Sequence, residues 1–361
     1  MIVASTLGGK VLAPLVQLVA QWRLVVNARD AYQRLETLLS DFPLRESGMP
    51  LPAPRGLLTV EGVVAAAPNS HVPILKGVSF AIQPGECVML IGPSAAGKTT
   101  LARLIMGLWP ASAGKVRLDG ADVYAWDKTE LGPYLGYLPQ TVELFAGTVA
   151  ENVARFGDLD VVELERVIEL VGLTSTISAL PDGVNTYVGE DGAVLSGGQR
   201  QRVGIARALA MEPSFIVCDE AVSALDVSIQ GQIINLLEDL QRELGVAYLF
   251  IAHDLAVVRH ISMRVVVMYL GKVVEMAASK AVVSAPKHPY TQALLSAVPV
   301  VDPDSKRQRI VLPGDVPSPI NPPSGCPFHP RCPVAEARCK TEVPALREVS
   351  AGHFAACHLA K

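Results

Sequence analysis

The stretch CVMLIGPSAAGKTTLARLIM, residues 87–106, decides the fold. Its first five residues are apolar and predict a buried strand, and the apolar spacing of its last residues predicts a helix. Between them lies the pattern G-x-x-x-x-G-K-[ST], which aims backbone N–H groups and a helix N-terminus at one point. This arrangement binds phosphate groups, so the sequence predicts an α/β P-loop fold. The predicted phosphate cradle consists of Gly92, Pro93, Ser94, Ala95, Ala96, Gly97, Lys98, Thr99 and Thr100.

Two carboxylates follow a second apolar strand, SFIVCDE, at residues 214–220. The carboxyl end of a strand in an open parallel sheet faces the ligand crevice. We therefore expect Asp219 to bind Mg²⁺ together with the Thr99 hydroxyl, and Glu220 to orient the attacking water. Lys98 is expected to reach the β- and γ-phosphates. A third strand ends in His253, which places a histidine beside the same crevice.

The motif LSGGQRQR at residues 195–202 distinguishes the chain from simple P-loop enzymes. Together with the P-loop and the acidic strand end, it resembles the ATPase of an ABC transporter. The resemblance implies a P-loop NTPase core of the RecA-like type with an antiparallel β subdomain and a helical subdomain. It also implies ATP and Mg²⁺ as ligands, and a second ATPase chain bound head to tail.

The same resemblance assigns roles to residues outside the P-loop. Gln140 matches the loop that senses Mg²⁺ and the membrane partner, and His253 matches the switch histidine. With Glu220 these two form the expected catalytic set. The expected nucleotide contacts of the signature and the following loop are Ser196, Gly197, Gly198, Gln199 and Asp226.

The adenine contact is the one element that departs from the family pattern. Members of the family usually place an aromatic residue upstream of the P-loop, where it stacks on adenine. The corresponding region, VEGVVAAAPNSHVPILKG, contains no aromatic residue, and His71 is the substitute it offers. The sequence leaves open which residue binds adenine.

The sequence suggests that the chain has four parts. Residues 1–48 are expected to be the remnant of a last membrane helix with its cytoplasmic extension, interrupted by Gly8, Gly9, Lys10 and Pro14 and partly buried or interfacial. Residues 49–57 predict a stiff linker, and residues 58–290 the nucleotide-binding domain, with its helical subdomain at about 141–208. Residues 291–361 predict a small cysteine-rich extension.

The two halves of the chain resemble different branches of the family. Residues 1–208 resemble type I secretion exporters, and residues 211–361 resemble oligopeptide/dipeptide importer ATPases. The change falls within GGQRQRVGIARALA, where both branches are nearly alike, so the chain is interpreted as a chimera. Because the groove for the membrane domain would then be exporter-like, coupling to peptide-importer membrane subunits is expected to be weak.

Four of the six cysteines lie near the C-terminus: Cys326, Cys332, Cys339 and Cys357. Four thiolates suit an iron–sulfur cluster or Zn²⁺ equally by number. The resemblance to importer ATPases implies a [4Fe-4S] cluster, with Zn²⁺ or free thiols as the alternatives.

Composition and resemblance together define the expected function. The net charge of −4 argues against a nucleic-acid partner. The expected protein is an ATPase subunit for peptide transport at the cytoplasmic face of the inner membrane, peripheral or weakly anchored by its N-terminal helix and bound to permease subunits. The alternatives are a truncated ATPase of a protein secretion exporter, a soluble ABC ATPase without a membrane partner, and an inactive recombinant product.

Overall fold

The computed structural model describes residues 2–41, 50–68, 70, 72–158, 160–189, 192, 194–252, 260–298 and 309–361, with the backbone alone for residues 2–9 and 41. The chain divides into two compact units, Met1–Pro50 and Leu51–Lys361.

The first unit is one long helix, α1 (Ile2–Asp41), which continues through Pro14. Its segment Lys10–Ser40 is long and apolar enough to cross a membrane, by length and composition alone, and none of it is buried. The interpretation of this helix as partly buried or interfacial stays a prediction. Valines, leucines and Trp22 are exposed along it.

The second unit begins with an antiparallel sheet of four strands in the order β2-β1-β4-β5. The strands are β1 (Leu58–Ala66), β2 (Pro73–Ile82), β4 (Ala113–Leu118) and β5 (Ala121–Asp122). Each pairing in this sheet is antiparallel. The expected antiparallel β subdomain is confirmed.

The larger sheet has eight strands in the order β11-β12-β10-β9-β3-β8-β7-β6. The strands from β9 to β6 are parallel to one another, which confirms the α/β core. Its strands are β3 (Cys87–Ile91), β6 (Leu135–Leu138), β7 (Phe215–Asp219), β8 (Ala247–Ile251), β9 (Arg264–Tyr269), β10 (Lys272–Ala278), β11 (Arg347–Ser350) and β12 (His353–Ala355).

Helices surround the large sheet and build a helical segment between β6 and β7. Those nearest the sheet are α2 (Lys98–Ile105), α3 (Lys128–Leu131), α8 (Val227–Leu244), α9 (Ser279–Ser284) and α10 (Pro289–Ser296). The helical segment contains α4 (Val149–Val153), α5 (Val161–Leu170), α6 (Thr174–Ser178) and α7 (Gly197–Leu209). Two half-buried arginines join helices within this segment: Arg155 donates to the carbonyls of Arg207 and Ala208 in α7, and Arg207 donates to the carbonyl of Asn152 in α4.

The core lies on both faces of the large sheet because strand side chains alternate. Cys87, Met89 and Ile91 of β3 pack toward the helical segment. Val88 and Leu90 pack toward α2 and the small sheet. Since β3 lies between β9 and β8, strands from both ends of the sequence are needed to complete one core.

The turn between β9 and β10 joins the P-loop to the small sheet. Gly271 donates its N–H to the carbonyl of Ala96 at 3.1 Å and accepts the N–H of Lys76 at 2.9 Å. Its φ is +80°, and an added Cβ would lie 1.8 Å from the carbonyl oxygen of Ile74. Position 271 therefore requires glycine for its backbone conformation and for lack of space.

Replacing this glycine tests how tightly the turn is held. Gly120 is the matched control, because its φ of +86° is similar but nothing lies within 4 Å of its added Cβ. We expect Gly120→Ala to lower the free energy of unfolding by about 1–2 kcal/mol through backbone strain alone. Gly271→Ala should cost about 1–3 kcal/mol more because of the clash. Denaturant unfolding measures both, and equal losses would contradict the packing at the turn.

Candidate active site

The P-loop connects the end of β3 to the start of α2, and two of its glycines have no space for a Cβ atom. Gly97 precedes α2 with a φ of +95°, and an added Cβ would lie 2.7 Å from Leu75. Ala95 also has a left-handed backbone, with a φ of +62°. At Gly92 an added Cβ would lie 2.4 Å from the carbonyl oxygen of Met268. The loop is thus held between β2 and β9.

Lys98 lies within this loop, with 5% of its surface exposed. Its ammonium group donates to the carbonyls of Gly92 at 2.9 Å and Pro93 at 3.1 Å. Burial lowers the pKa of Lys98, while the charges of Glu220 and Asp219 oppose that change. The loop carbonyls therefore stabilise a buried cation beside the predicted phosphate position.

Asp219 ends β7 opposite the start of α2. Its carboxylate accepts hydrogen bonds from the Thr99 hydroxyl at 3.4 Å and the Tyr137 hydroxyl at 3.3 Å. Burial raises the pKa of Asp219, and the two hydrogen bonds oppose the rise. A carboxylate and a hydroxyl at one edge of the sheet are oxygen ligands of the kind Mg²⁺ prefers, and a bound cation would offset the desolvation of the carboxylate. The residues present fit the ion.

Glu220 follows Asp219 directly and has a left-handed backbone, with a φ of +57°. Its N–H donates to the carbonyl of Ile251 at 3.0 Å, and its carbonyl accepts the Ser223 hydroxyl at 2.9 Å. These bonds fix the residue between the ends of β7 and β8. An unusual backbone that its neighbours hold in place is typical of functional sites.

The signature residues cap helix α7. The Ser196 hydroxyl accepts the N–H of Gln199 at 3.3 Å, and the Gln199 side chain accepts the N–H of Ser196 at 2.8 Å. Ser196 and Gly197 are exposed, and an added Cβ at Gly198 would lie 3.0 Å from Ile229. The capped end of this 13-residue helix is open to solvent.

The structure also shows the exposure or the position of three other expected site residues. Gln140 and Asp226 are exposed, and Asp226 precedes helix α8. Thr100 belongs to α2. His253 and His71 lie outside the described residues, so their roles stay predictions.

Tyr137 is a site residue that the sequence motifs did not indicate. It lies on β6, and its hydroxyl contacts Asp219 across the parallel pairing of β6 with β7. Burial, followed by the charge of Asp219, raises the pKa of Tyr137 to about 12, so the phenol remains a donor at neutral pH. The sequence signal that could have identified Tyr137 as a site residue was its position three residues before Gln140.

The tail cysteines approach one another without forming a metal site. Cys326 donates its N–H to the carbonyl of Cys339 at 2.9 Å. Cys357 lies near enough to both Cys326 and Cys332 to influence their pKa values. Burial is the largest cause that raises the pKa of Cys326 and of Cys332. In the part of the chain that the structure describes, no three His, Cys, Asp or Glu side chains are arranged to hold a metal ion.

Comparisons with known proteins agree with this geometry. Residues 75–223 match the ABC transporter family, and residues 274–339 match the family described as the oligopeptide/dipeptide transporter C-terminal region. The probable peptide ABC transporter ATP-binding protein y4tS of Sinorhizobium fredii is 45% identical over 325 residues, covering 84% of this chain and 90% of that protein. The oligopeptide transport ATP-binding protein AppF of Bacillus subtilis is 44% identical over 299 residues, covering 80% of this chain and 90% of that protein.

A solved structure with a similar fold is a bacterial Atm1-family ABC exporter with ATP bound. The TM-score is 0.60 at 29% sequence identity, over 71% of this chain and 45% of the exporter chain. The chain therefore spans less than half of that exporter.

The chimera interpretation is not supported. Residues 211–361 are less than half of the chain, whereas one peptide-transport relative aligns over 84% of it. The physical reason for the error is that both branches need the same P-loop, signature and core residues, so the first half could not discriminate between them.

The Tyr137–Asp219 contact predicts a pH effect. Asp219 must be ionised to bind Mg²⁺, and the Tyr137 hydroxyl lowers the pKa of Asp219. Tyr137→Phe should therefore raise that pKa and move the acid limb of Mg²⁺-dependent hydrolysis upward by up to about one pH unit. Tyr187→Phe, at a tyrosine that is 61% exposed, is the control. Identical pH profiles for both variants would contradict the contact.

Proposed function

The chain belongs to the ATP-binding proteins of ABC transporters and hydrolyses ATP, and we propose that this hydrolysis energises the uptake of peptides. One observation carries the proposal: Lys98, Thr99, Asp219 and Glu220 lie together where β3 and β7 end. The relatives at 44–45% identity are named as peptide and oligopeptide transport proteins, and this gives the substrate class.

Nucleotide binding begins at the P-loop. The N–H groups at the start of α2 and the Lys98 ammonium stabilise the β- and γ-phosphates. Lys98 now donates to the Gly92 and Pro93 carbonyls, so binding requires it to exchange these acceptors for phosphate oxygens. The surrounding contacts of Gly92 and Gly97 keep the loop in shape during the exchange.

Hydrolysis uses the pair of carboxylates at the end of β7. Thr99 and Asp219 would hold Mg²⁺, directly or through water, with Gln140 as a further ligand. The ion neutralises charge on the phosphates when bound. Tyr137 keeps the Asp219 carboxylate oriented and favours its ionised form. Glu220, held between β7 and β8, is the proposed group that orients and polarises the attacking water, with His253 as the switch residue.

A second ATPase chain is proposed to complete the site. The capped N-terminus of α7 is solvent-exposed and presents Ser196 and its neighbours, and a helix N-terminus favours an anion. The partner's γ-phosphate is the anion that this end would contact, in a head-to-tail pair. Gly198, Gln199 and Asp226 would contribute to the same contact.

The chain is a subunit peripheral to the inner membrane, and membrane permease subunits are its implied partners. Helix α1 is proposed to add weak anchoring, because its segment Lys10–Ser40 has the length and composition of a membrane span. Residues 49–57 would act as the linker, and residues 291–361 as the importer-type C-terminal region.

Protein secretion is the alternative function. The similarity to an exporter at 29% identity and the apolar helix α1 favour it. Peptide uptake is better supported, because the peptide-transport relatives are more similar and align over more of the chain.

Peptide uptake can be tested by complementation of a cell that lacks its own peptide-importer ATPase. The full chain should restore uptake of a labelled peptide, and Glu220→Gln should reduce uptake and ATP turnover by at least about a hundredfold while nucleotide still binds. Glu212→Gln, at an exposed position outside the site, is the control and should behave as the unmodified chain. Hydrolysis without uptake would reject peptide import, and full turnover in Glu220→Gln would reject the role of Glu220.

The tail cysteines carry a separate prediction, a [4Fe-4S] cluster with Zn²⁺ as the alternative. The mutual approach of four thiols supports it, and the lack of a described metal-holding group of three opposes it. Binding would therefore require the thiols to rearrange and lose their protons.

Metal analysis of the anaerobically purified chain decides among cluster, zinc and free thiols. A cluster predicts brown protein with iron and acid-labile sulfide, lost in Cys332→Ser and retained in Cys87→Ala, whose thiol lies in β3. Colourless protein with stoichiometric zinc would favour the alternative. Protein that contains neither iron nor zinc would show that the four thiols are free.

A further inference from the structure

A cavity of about 360 Å³ lies between the small sheet, strand β10 and the C-terminal region, apart from the nucleotide site. Its polar wall contains Lys76 and Ser79 of β2, Lys272 of β10 and His288, which precedes α10. The rest of the wall is apolar and includes Val343, Pro344 and Leu346.

The polar groups of this wall are hydrogen-bond donors. Lys76 and Lys272 present ammonium groups, and the Ser79 hydroxyl keeps its hydrogen available while its oxygen accepts the N–H of Gly62. His288 is 1% exposed, and its Nδ1 accepts the N–H of Tyr290 at 3.1 Å. Burial lowers the pKa of His288 to about 3, so the neutral ring carries its proton on Nε2.

The two lysines lack the acidic partner that such a pair normally has. In the described chain the Lys76 ammonium donates to the carbonyl of Pro319 at 3.3 Å, and neither ammonium group forms an ion pair. Burial, followed by the charge of Lys272, lowers the pKa of Lys76. Like charges held together are destabilising unless an anion lies between them.

A buried carboxylate on β10 is already occupied by other donors. Glu275 is fully buried and accepts the N–H groups of Lys287 at 2.6 Å and His288 at 2.9 Å, together with Nε2 of His353 at 2.7 Å. These three donors occupy the carboxylate, and its contact with His353 joins β10 to β12. The charge of the two lysines is left for a ligand to neutralise.

We infer that this cavity binds a phosphate group, as inorganic phosphate or as a phosphomonoester with a small apolar body. The donors come from three separate elements, which suits a tetrahedral oxyanion better than a planar carboxylate, and lysine binds phosphate as a point charge. The apolar wall and the volume leave room for the ester group. The site adjoins Gly271, whose N–H contacts the P-loop and whose carbonyl accepts the N–H of Lys76.

Calorimetric titration of the full chain tests this site. The protein is first saturated with Mg-ADP, so that the P-loop is filled, and is then titrated with inorganic phosphate and with phenyl phosphate. Both should bind, with phenyl phosphate the tighter ligand because of the apolar wall. The double variant Lys76→Gln/Lys272→Gln should weaken binding at least tenfold, whereas Lys280→Gln, at an exposed lysine of α9, should bind as the unmodified chain does.

Two further measurements keep the result interpretable. Thermal unfolding establishes whether the double variant is folded. If it is not, the single variant Lys272→Gln replaces it in the titration. Co-sedimentation with phosphatidylcholine vesicles, with and without phosphatidic acid, separates a lipid phosphomonoester from a free one. Absence of binding to phosphate, phenyl phosphate and phosphatidic acid vesicles would overturn the inference, as would equal binding by the double variant.

Discussion

The backbone contact between the P-loop and the β9–β10 turn is the constraint on which the rest of the structure depends. Gly271 bonds to Ala96 on one side and to Lys76 on the other, and Gly97 packs against Leu75 without space for a Cβ. A loop that must bind phosphate through its N–H groups cannot also use them to hold itself in place. The neighbouring turn and strand supply that support, and they tie the nucleotide site to the small sheet.

The C-terminal region is part of the same framework. β12 adds to the edge of the large sheet beside β10, and the Glu275–His353 contact is buried at this junction. Phe328 of the tail packs against Tyr269 of β9 and Tyr290 of α10. Removing one member of a buried polar group of this kind leaves the other without a partner, which is costly. The tail and the nucleotide site therefore share strands β9 and β10.

The nucleotide-binding core was predictable because its chemistry requires particular residues at short spacing. The P-loop, the acidic end of β7 and the capped α7 each lie within a few consecutive residues, and the structure forms the strand and helices expected around them. The contacts of Tyr137, Gly271 and Glu275 were not predictable, since each joins residues far apart in sequence and depends on sheet order. The interpretation as a chimera failed for a different reason: both branches of the family need the same P-loop, signature and core residues, so local motifs in the first half do not discriminate between them.

The central claim is that one chain supplies the P-loop and carboxylates while a second supplies the signature helix. Light scattering on Glu220→Gln, with the nucleotide state as the only variable, tests this most directly. The account predicts a monomer without nucleotide and a dimer at saturating Mg-ATP, and it predicts that Ser196→Arg abolishes that dimer while each chain still binds ATP. A chain that stays monomeric at saturating Mg-ATP, or a dimer that is indifferent to Ser196→Arg, would contradict it.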